Sequence, residues 1–449
     1  KLEVAERALL TELESVLRFP SVGSKKFLVT IGDRSITGLV AQEQMVGPWQ
    51  EPVADVAVTA SGFNAYTGEA MCMGERPALA AISPAASARM AVGEALTNLA
   101  AARVSELGRV VLSANWMAAA GRDNEDQALF EAVRAVGMEL CPALGLAIPV
   151  GKDSLSMRSA WQTADGERSV TSPMKLNITA FAPVTDIRQT LTPQLRTDVG
   201  DTLLILADLG SCRLGGSAYA QVHQQLGSES PDVDDAAALK GFFETVLALN
   251  DAHKILAYHD RSDGGLITAA LEMVFAGRCG LELTLTTGGP STSGKSLRAQ
   301  LFNEELGALI QVRGGDAEAV CAAFQSSGVS ARVVGKPRFD DVVEIHHRSS
   351  SPEASGAHAE KQRVLSSDRV HLQKVWAKTS YLMQRLRDNP ACADMEYAAI
   401  ESNDPGFSAS LTFDVDDNIA APLVGGNRPK VAILREQGVN GQIEMAAAF

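Results

Sequence analysis

The segment His259–Leu266 constrains the fold of this chain more than any other, and it reads His-Asp-Arg-Ser-Asp-Gly-Gly-Leu. It follows a short apolar run, Ile255–Tyr258, and leads into a longer apolar run, Leu266–Phe275, that is compatible with a helix. A short apolar run, a polar turn and a longer apolar run predict a strand, a turn and the start of a helix. Consecutive glycines in such a turn let backbone N–H groups approach an anion closely.

Two carboxylates, Asp260 and Asp263, lie in this turn beside His259 and Ser262. Carboxylates in such a place suit a hard cation such as Mg²⁺, which takes oxygen ligands and keeps phosphate as another partner. An ordinary helix N-cap turn with a solvated aspartate is the alternative interpretation. A structural hydrogen bond explains His259 at least as well as a catalytic role.

A second candidate lies on a predicted helix that begins with Ser83 as N-cap and continues to about Arg103. Glu94 and Asn98 are four residues apart, so they share one face of this helix. Their neighbours are apolar or small, and a buried carboxylate needs a partner. A cation shared with another carboxylate would satisfy Glu94, while a solvent-facing stripe is the alternative.

Asp55 interrupts the apolar run Val53–Val58, which predicts a strand. Aspartate is a poor strand residue, so its presence calls for an explanation. A carboxylate directed at a metal ion and a solvent-facing edge position explain it about equally well.

A further polar group follows the predicted strand Leu146–Val150. Lys152 can pair with phosphate oxygens, and Ser154 next to Gly151 and Asp153 can donate to them. The eight-residue spacing of a P-loop is missing. Asn115 follows another predicted strand and can face the same sheet edge. An ordinary β-turn is the alternative for this group.

Composition limits the classes of function. A net charge of −14 over 449 residues argues against general nucleic-acid binding, because no basic surplus is available to neutralise phosphates. The hydrophobic fraction of 46% supports sizeable cores, and the length suggests about two to four domains. The six cysteines lack zinc-ligand spacing and indicate reduced thiols in a cytoplasmic protein. We expect neither a nucleic-acid nor a membrane partner.

Both ends of the sequence predict that the chain is a piece of a longer protein. It starts at Lys1 inside a predicted helix and stops at Phe449 inside an amphipathic segment. The region Asp388–Arg428 has little regular pattern and predicts a linker. Lys430–Leu434 predicts a buried strand that opens an α/β unit. The irregular spacing of strands and helices before it favours a mixed α+β fold over a doubly wound sheet.

Six motifs together resemble the large, single-chain form of the phosphoribosylformylglycinamidine synthase family, in the family's order and over essentially the whole chain. They are Ile31–Gly38, Gln44–Gln50, Val92–Asn98, Leu112–Met117, Pro149–Met157 and His259–Gly265. The resemblance implies an α+β half of the aminoimidazole ribonucleotide synthetase type. This half combines an N-type α/β sheet domain with a C-type α/β domain. A linker and the truncated α/β start of a class I glutaminase, which Val431–Asn440 resembles, would follow.

The resemblance also implies five segments. Residues 1–26 would end a preceding domain or linker helix. Residues 27–187 would form the N-type domain and residues 188–350 the C-type domain, each as its second copy in the family enzyme. Residues 351–428 would form a helix and linker, and residues 429–449 the start of the glutaminase domain.

The family's site residues carry over to this sequence position by position. Four residues correspond to magnesium ligands of an auxiliary nucleotide site: Asp55, Glu94, Asn98 and Asp260. Ala54 and Ser262 correspond to nucleotide contacts there. Four more would face a second, catalytic nucleotide: Asn115, Gly151, Lys152 and Ser154. The resemblance implies no catalytic residue in this part of the enzyme.

The intact family enzyme would convert formylglycinamide ribonucleotide, ATP, glutamine and water to the amidine, ADP, phosphate and glutamate. This chain would supply Mg²⁺ and ATP or ADP binding, with the first synthetase half and the glutaminase domain as partners, and would be inactive alone. A non-catalytic nucleotide-binding scaffold is one alternative. A relative of small-molecule kinases or selenophosphate synthetases is another, although such chains lack a trailing glutaminase start.

Overall fold

A computed structural model describes residues 8–32, 34–35, 38–287, 296–349, 361–414 and 416–449. The chain divides into two compact units, Lys1–Pro405 and Gly406–Phe449. Residues 1–7, which include the beginning of the predicted N-terminal helix, and part of the motif Ile31–Gly38 lie outside the described residues. Every helix in the described ranges is too short or too polar to cross a membrane.

The first part of the larger unit is built on a six-stranded sheet in the order β1-β2-β3-β8-β4-β5. All neighbouring strands are antiparallel except β4 and β5, which are parallel. A separate hairpin, β6–β7, projects from it. The elements are α1 (Leu9–Leu17), α2 (Lys26–Thr30), β1 (Val40–Gln42), β2 (Ala57–Ala60), β3 (Gly68–Glu75), α3 (Pro77–Ala80), α4 (Pro84–Leu99), β4 (Val111–Met117), α5 (Glu125–Arg134), α6 (Cys141–Leu144), β5 (Ala147–Ser154), β6 (Arg158–Thr163), β7 (Gly166–Thr171) and β8 (Lys175–Val184).

Helix α4 covers one face of this sheet. Ser83 is its N-cap, as predicted, and the serine hydroxyl accepts a hydrogen bond from the backbone N–H of Ala86. The strands alternate between buried and exposed side chains, so one row packs under α4. The opposite face carries Met71, Met73 and Phe181, which are 39%, 53% and 39% exposed. In the described structure the sheet therefore presents one covered and one open face.

The second part is built on a seven-stranded sheet in the order β10-β12-β9-β13-β11-β14-β15. Only β11 and β14 are parallel neighbours. The elements are β9 (Thr202–Asp208), α7 (Ala218–Val222), α8 (Ala236–Asp251), β10 (Ile255–Asp260), α9 (Gly265–Gly277), β11 (Gly280–Thr287), α10 (Leu297–Phe302), β12 (Gly307–Arg313), α11 (Ala317–Ser326), β13 (Ser330–Arg338), β14 (Val342–Ser349), β15 (Lys361–Asp368), α12 (Arg369–Arg387) and α13 (Pro390–Ala398).

Two apolar cores hold these parts together. One core joins residues under α4 with β9, β12 and α8, so it crosses from the first sheet to the second. The other surrounds α9, whose side chains are almost all buried, and reaches α1 and α12 through Leu17 and Trp376. A helix that is apolar on all sides must be buried on all sides. The two sheet domains therefore share buried surface instead of folding as separate bodies.

Several predicted elements differ from those observed. The predicted strand Val53–Val58 is wrong, because β2 begins only at Ala57 and Asp55 lies in the preceding loop. The predicted linker contains helix α13, which Asn389 caps by accepting a hydrogen bond from the N–H of Ala391. Strand β15 extends the second sheet past the predicted boundary at residue 350.

The smaller unit, Gly406–Phe449, consists of turns and one helix, α14 (Gln442–Ala448). The predicted strand Lys430–Leu434 is wrong, since no strand pairing occurs there within the described residues. Val431 is 50% exposed and Leu434 is 90% exposed. An apolar strand of this kind is stable only between neighbouring strands and under a covering helix. The segment has the sequence pattern of an inner strand, but the described residues of this unit form no sheet that would bury it.

Candidate functional site

The candidate site is a buried cluster of Asp55, His259 and Asp260, whose potential ligand atoms all lie within 4.8 Å of one another. Asp55 comes from the loop before β2, and the other two come from the end of β10. His259 Nδ1 lies 2.7 Å from Asp55 Oδ1, and the backbone N–H of Asp260 donates to the same oxygen at 3.2 Å. The cluster therefore brings together residues from both sheet domains.

The local sequence explains why the end of β10 carries these groups. Strand β10 is almost entirely buried beside β12, as predicted from the apolar run Ile255–Tyr258. The turn then passes through Gly264 and Gly265, whose φ angles are +83° and +76°. A Cβ on Gly265 would lie 2.7 Å from the carbonyl oxygen of Asn303. Both glycines are thus required by the backbone, and the predicted strand, turn and helix are confirmed.

Burial governs the charges in this cluster. Removal from water, together with the nearby Asp55 carboxylate, raises the pKa of Asp260 well above its usual range. Burial alone would lower the pKa of His259, but Asp55 and Glu272 outweigh it, so that pKa is raised well above its usual value. His259 Nε2 lies 2.8 Å from Glu272 Oε2. The imidazolium offsets only part of the negative charge around it.

Glu94 lies beside this cluster in a second set of contacts. It is 7% exposed, so the interpretation as a solvent-facing stripe is wrong. Its carboxylate accepts hydrogen bonds from the Ser262 hydroxyl and, at 2.8 Å, from the Glu75 backbone N–H. Arg76 approaches to 3.2 Å. Burial raises the pKa of Glu94, and the charge of Arg76 opposes that rise.

Helix α4 links the two sets of contacts. The Thr97 hydroxyl, one turn after Glu94, is within 3.5 Å of Asp260 Oδ2. Asn98 is half-buried, and its amide nitrogen donates to the carbonyl of Met73 at 3.0 Å. A side-chain amide nitrogen only donates hydrogen bonds, so the amide oxygen is the atom of Asn98 that could serve as a ligand. Asp55 and Asp260 thus meet directly, Glu94 lies on the neighbouring helix α4 one turn before Thr97, and Asn98 is bonded to β3.

The two predicted nucleotide contacts flank the same cluster. Ala54 precedes Asp55, and its N–H donates to the carbonyl of Gln44 at 3.2 Å. Ser262 follows the end of β10 and also lies 3.3 Å from an Arg76 nitrogen. Both residues therefore border the carboxylates.

The second predicted group lies on neighbouring strands of the first sheet. Asn115 on β4 is directly opposite Lys152 on β5, and Ser154 is two residues further along the same side. These residues continue β5 to Ser154, so the strand does not end at Val150 as predicted, and the alternative of an ordinary β-turn is wrong. Gly151 faces the other way, where a Cβ would lie 2.4 Å from the carbonyl oxygen of Ala114. The three polar side chains share the open face of the sheet.

Sequence reasoning missed Arg76, whose side chain is 3% exposed and contacts Glu94, Asp263 and Glu304. It also missed Glu304, whose pKa burial raises to about 8. Arg76 sits between the end of β3 and Pro77, and nothing in the local pattern marks it as buried. Only its three-dimensional neighbours, distant in sequence, reveal its role.

Comparison with known proteins matches both domains. Residues 24–183 match the FGAR-AT PurM_N-like domain, and residues 198–346 match the C-terminal domain of AIR synthase related proteins. Together these matches cover more than half of the chain.

Solved structures from Thermotoga maritima share the fold. PurL complexed with FGAR has a TM-score of 0.57 at 12% identity, covering 82% of this chain and 54% of that chain. PurL complexed with AMPPCP has a TM-score of 0.53 at 12% identity, covering 82% of this chain and 52% of that chain. PurLQS has a TM-score of 0.55 at 14% identity, also covering 82% of this chain and 52% of that chain. This chain thus spans about half the length of the structures it matches.

Proposed function

Because its two domains belong to the AIR synthase-like family, we propose that this chain is the Mg²⁺-nucleotide-binding second half of an ATP-dependent ligase. The proposed reaction converts formylglycinamide ribonucleotide to the amidine, with ammonia derived from glutamine. The observation that carries the proposal is the buried meeting of Asp55 and Asp260, which come from different domains. Uncompensated carboxylates in such a place are costly, and a divalent cation would offset them.

The donor set fits Mg²⁺. Asp55 Oδ2 is buried and has no hydrogen-bond partner among the described residues, so one carboxylate oxygen remains free for a ligand. Asp260 supplies a second carboxylate, and the proposal adds Glu94 and the amide oxygen of Asn98 as further oxygen donors. Hard oxygen donors of this kind are the ones Mg²⁺ prefers, with phosphate and water completing the shell. Bound there, the ion would neutralise phosphate charge and fix the nucleotide in place.

The remaining predicted residues complete two nucleotide contacts in the proposal. Ala54 and Ser262 would border the nucleotide held by these carboxylates, as structural ATP or ADP. Asn115, Lys152 and Ser154, on the open face of the sheet, would face a second nucleotide that is consumed. ATP would phosphorylate the formyl amide oxygen, and ammonia would then displace phosphate to leave the amidine. In this chain the named side chains bind and orient the nucleotides.

The open sheet face supports the proposed need for a first synthetase half. It combines exposed apolar side chains with the polar group around Asn115 and Lys152. The side-chain oxygens of Asn115 and the opposite Asn177 are buried and have no partner within the described ranges. Exposed apolar surface next to unpaired buried polar atoms is typical of a face that another surface completes.

A second candidate function is a scaffold that retains a nucleotide without turning it over. Arg76 favours it, since a permanent buried cation already neutralises Glu94 in the described structure. A fixed internal ion pair at the site is better suited to holding a nucleotide tightly than to repeated binding and release of nucleotide. The two candidates differ in one measurement: only the ligase should consume ATP when the missing half, substrate and ammonia are supplied.

Titration calorimetry of MgADP binding to the purified chain tests the proposal. We expect binding that requires Mg²⁺ and weakens in Asp55→Asn and Asp260→Asn. The control is Asp165→Asn, an exposed aspartate of the projecting hairpin. The proposed site would be refuted if ADP binding did not depend on Mg²⁺. It would also be refuted if the control substitution weakened binding as much as Asp55→Asn and Asp260→Asn do.

A further inference from the structure

A cavity of about 360 Å³ lies beside the carboxylate cluster. Its wall includes Arg76, Gly216, Ala218, Asp263 and Glu304. None of the predicted metal ligands or nucleotide contacts lines it. It is therefore a neighbouring space that the proposed nucleotide site does not use.

Glu304 occupies one end of this cavity as a hydrogen-bond acceptor. A single carboxylate oxygen, Glu304 Oε1, accepts from the backbone N–H of Gly264 at 2.7 Å and of Ala218 at 2.8 Å. These amides belong to the first residue of α7 and to the residue before α9, which are 46 positions apart in the numbering. Convergent backbone amides on one oxygen are the arrangement by which proteins hold phosphate and carboxylate groups.

Arg76 gives an independent sign of an anion position. Its side chain is 3% exposed and lines the cavity, with one terminal nitrogen 3.9 Å from Glu304 Oε2. Its Nε is buried and has no hydrogen-bond partner in the described part of the chain. A buried guanidinium with an unused donor beside two convergent amides is a set of groups suited to an oxyanion.

We propose that this end of the cavity is a subsite for a small oxyanion, such as the phosphate of a monoester, and that Glu304 fills it as an internal ligand. The native chain would then bind its nucleotide without a phosphorylated co-substrate beside it, because Glu304 holds the two amides. The oxyanion subsite goes beyond the proposed function and does not depend on it, since Glu304 is not among the proposed ligands; only the statement about the nucleotide rests on the proposed function.

The charge of the subsite is consistent with this exchange. One carboxylate already occupies the position in the native protein, with Glu94 and Asp263 also near Arg76. A small anion placed there after removal of Glu304 would lie beside the Arg76 guanidinium, where the Glu304 side chain lies in the native protein. Such an anion would also restore acceptors for two buried N–H groups, which are costly to leave unpaired.

The test compares Glu304→Ala and Glu304→Gln with the native chain, using inorganic phosphate as the probe and chloride at matched ionic strength as the reference. We expect phosphate to raise the melting temperature of Glu304→Ala in a saturable way. The native chain and Glu304→Gln should show no such shift, since the Gln oxygen still fills the position. Glu244→Ala, an exposed glutamate on α8, is the matched control.

Three results would overturn the inference: no phosphate shift in folded Glu304→Ala, an equal shift in the native chain, or an equal shift in Glu304→Gln. If Glu304→Ala does not fold in phosphate-free buffer, phosphate should restore its refolding yield, and failure of this rescue would also overturn it. MgADP binding, measured on the same samples, reports separately on the proposed function.

Discussion

Asp260 shows how burial sets the behaviour of a single side chain. It ends a buried strand, so its carboxylate is held near Asp55 and away from water. The neighbouring imidazolium of His259 contacts Asp55 directly and lowers the pKa of Asp260 only in part. A carboxyl group whose pKa burial and a neighbouring carboxylate raise in this way should respond strongly to a cation and to pH.

We expect Asp260→Asn to weaken Mg²⁺-dependent ADP binding by at least about tenfold, because changes near metal ligands commonly cost that much. Asp55→Asn should do the same. The double variant should lose less than the sum of the two free energies, since both carboxylates act on one ion. Titration calorimetry measures all three, and strict additivity would indicate that the residues act at separate places.

A pH dependence follows from the raised pKa of Asp260. The folded chain keeps this proton at pH values where the unfolded chain has lost it. The unfolded state then binds fewer protons, so this residue lowers the free energy of unfolding as pH rises from the normal aspartate range toward the folded-state pKa. The Asp260→Asn variant lacks this pH-dependent contribution to the free energy of unfolding.

In EDTA, the free energy of unfolding of Asp260→Asn minus that of the native chain should therefore increase with pH over this range. Denaturant unfolding at several pH values measures the difference. Asp165→Asn should show no such trend. A difference that stays constant with pH would contradict the assignment of a raised pKa to Asp260.

At the scale of helices and strands, the sequence predicted those elements whose ends are determined by neighbouring residues in the chain. The apolar run, polar turn and double glycine around Asp260 specify β10, the turn and α9 with almost no help from distant residues. Ser83 and Pro84 likewise specify the start of α4. Strand β10 and its turn carry Asp260 and Ser262, and α4 carries Glu94 and Asn98, so the placement of these candidate residues could be predicted from the sequence.

The errors concern elements that depend on distant neighbours. Asp55 looked like a strand residue because its flanking residues are apolar, but their burial comes from packing in a loop. Lys430–Leu434 has the pattern of an inner strand, and a strand needs partners that these described residues do not provide. Arg76 is buried only because three carboxylates from distant segments surround it.

The turn before α9 gives a prediction at this scale. Gly265→Ala should destabilise the protein by about 2 kcal/mol or more, because its φ is positive and its Cβ would meet the Asn303 carbonyl. Gly137→Ala is the control. That glycine is exposed and helical with open space around it, so alanine should be neutral or stabilising by about 0.5–1 kcal/mol. Thermal unfolding of both variants checks this contrast, and equal effects would contradict it.

At the scale of the whole molecule, the open sheet face leads to a prediction about assembly. We expect the chain alone to show no ligase turnover with ammonia. Adding a separately produced first synthetase half should restore part of the ATP-dependent amidine formation. Met73→Arg on the open face should reduce this recovery, while Phe130→Arg should not.

Both residues are exposed and apolar, but Phe130 lies on α5, away from the sheet. Product formation is measured by chromatography, and the melting temperature of each variant checks that it is folded. Substantial turnover by the chain alone would show that the proposed division of the active site is wrong. Equal losses from both variants would show that the open face has no special part in assembly.

The candidate site joins two domains at buried carboxyl groups, and under the proposed function this has a consequence for the life of the protein in a cell. The empty chain should open at this boundary more often than the occupied one, because only the occupied chain gains free energy from ligand binding. Proteases cleave transiently open forms in proportion to their population. Under the proposed function, molecules without a bound magnesium-nucleotide complex would therefore be degraded before molecules that hold one.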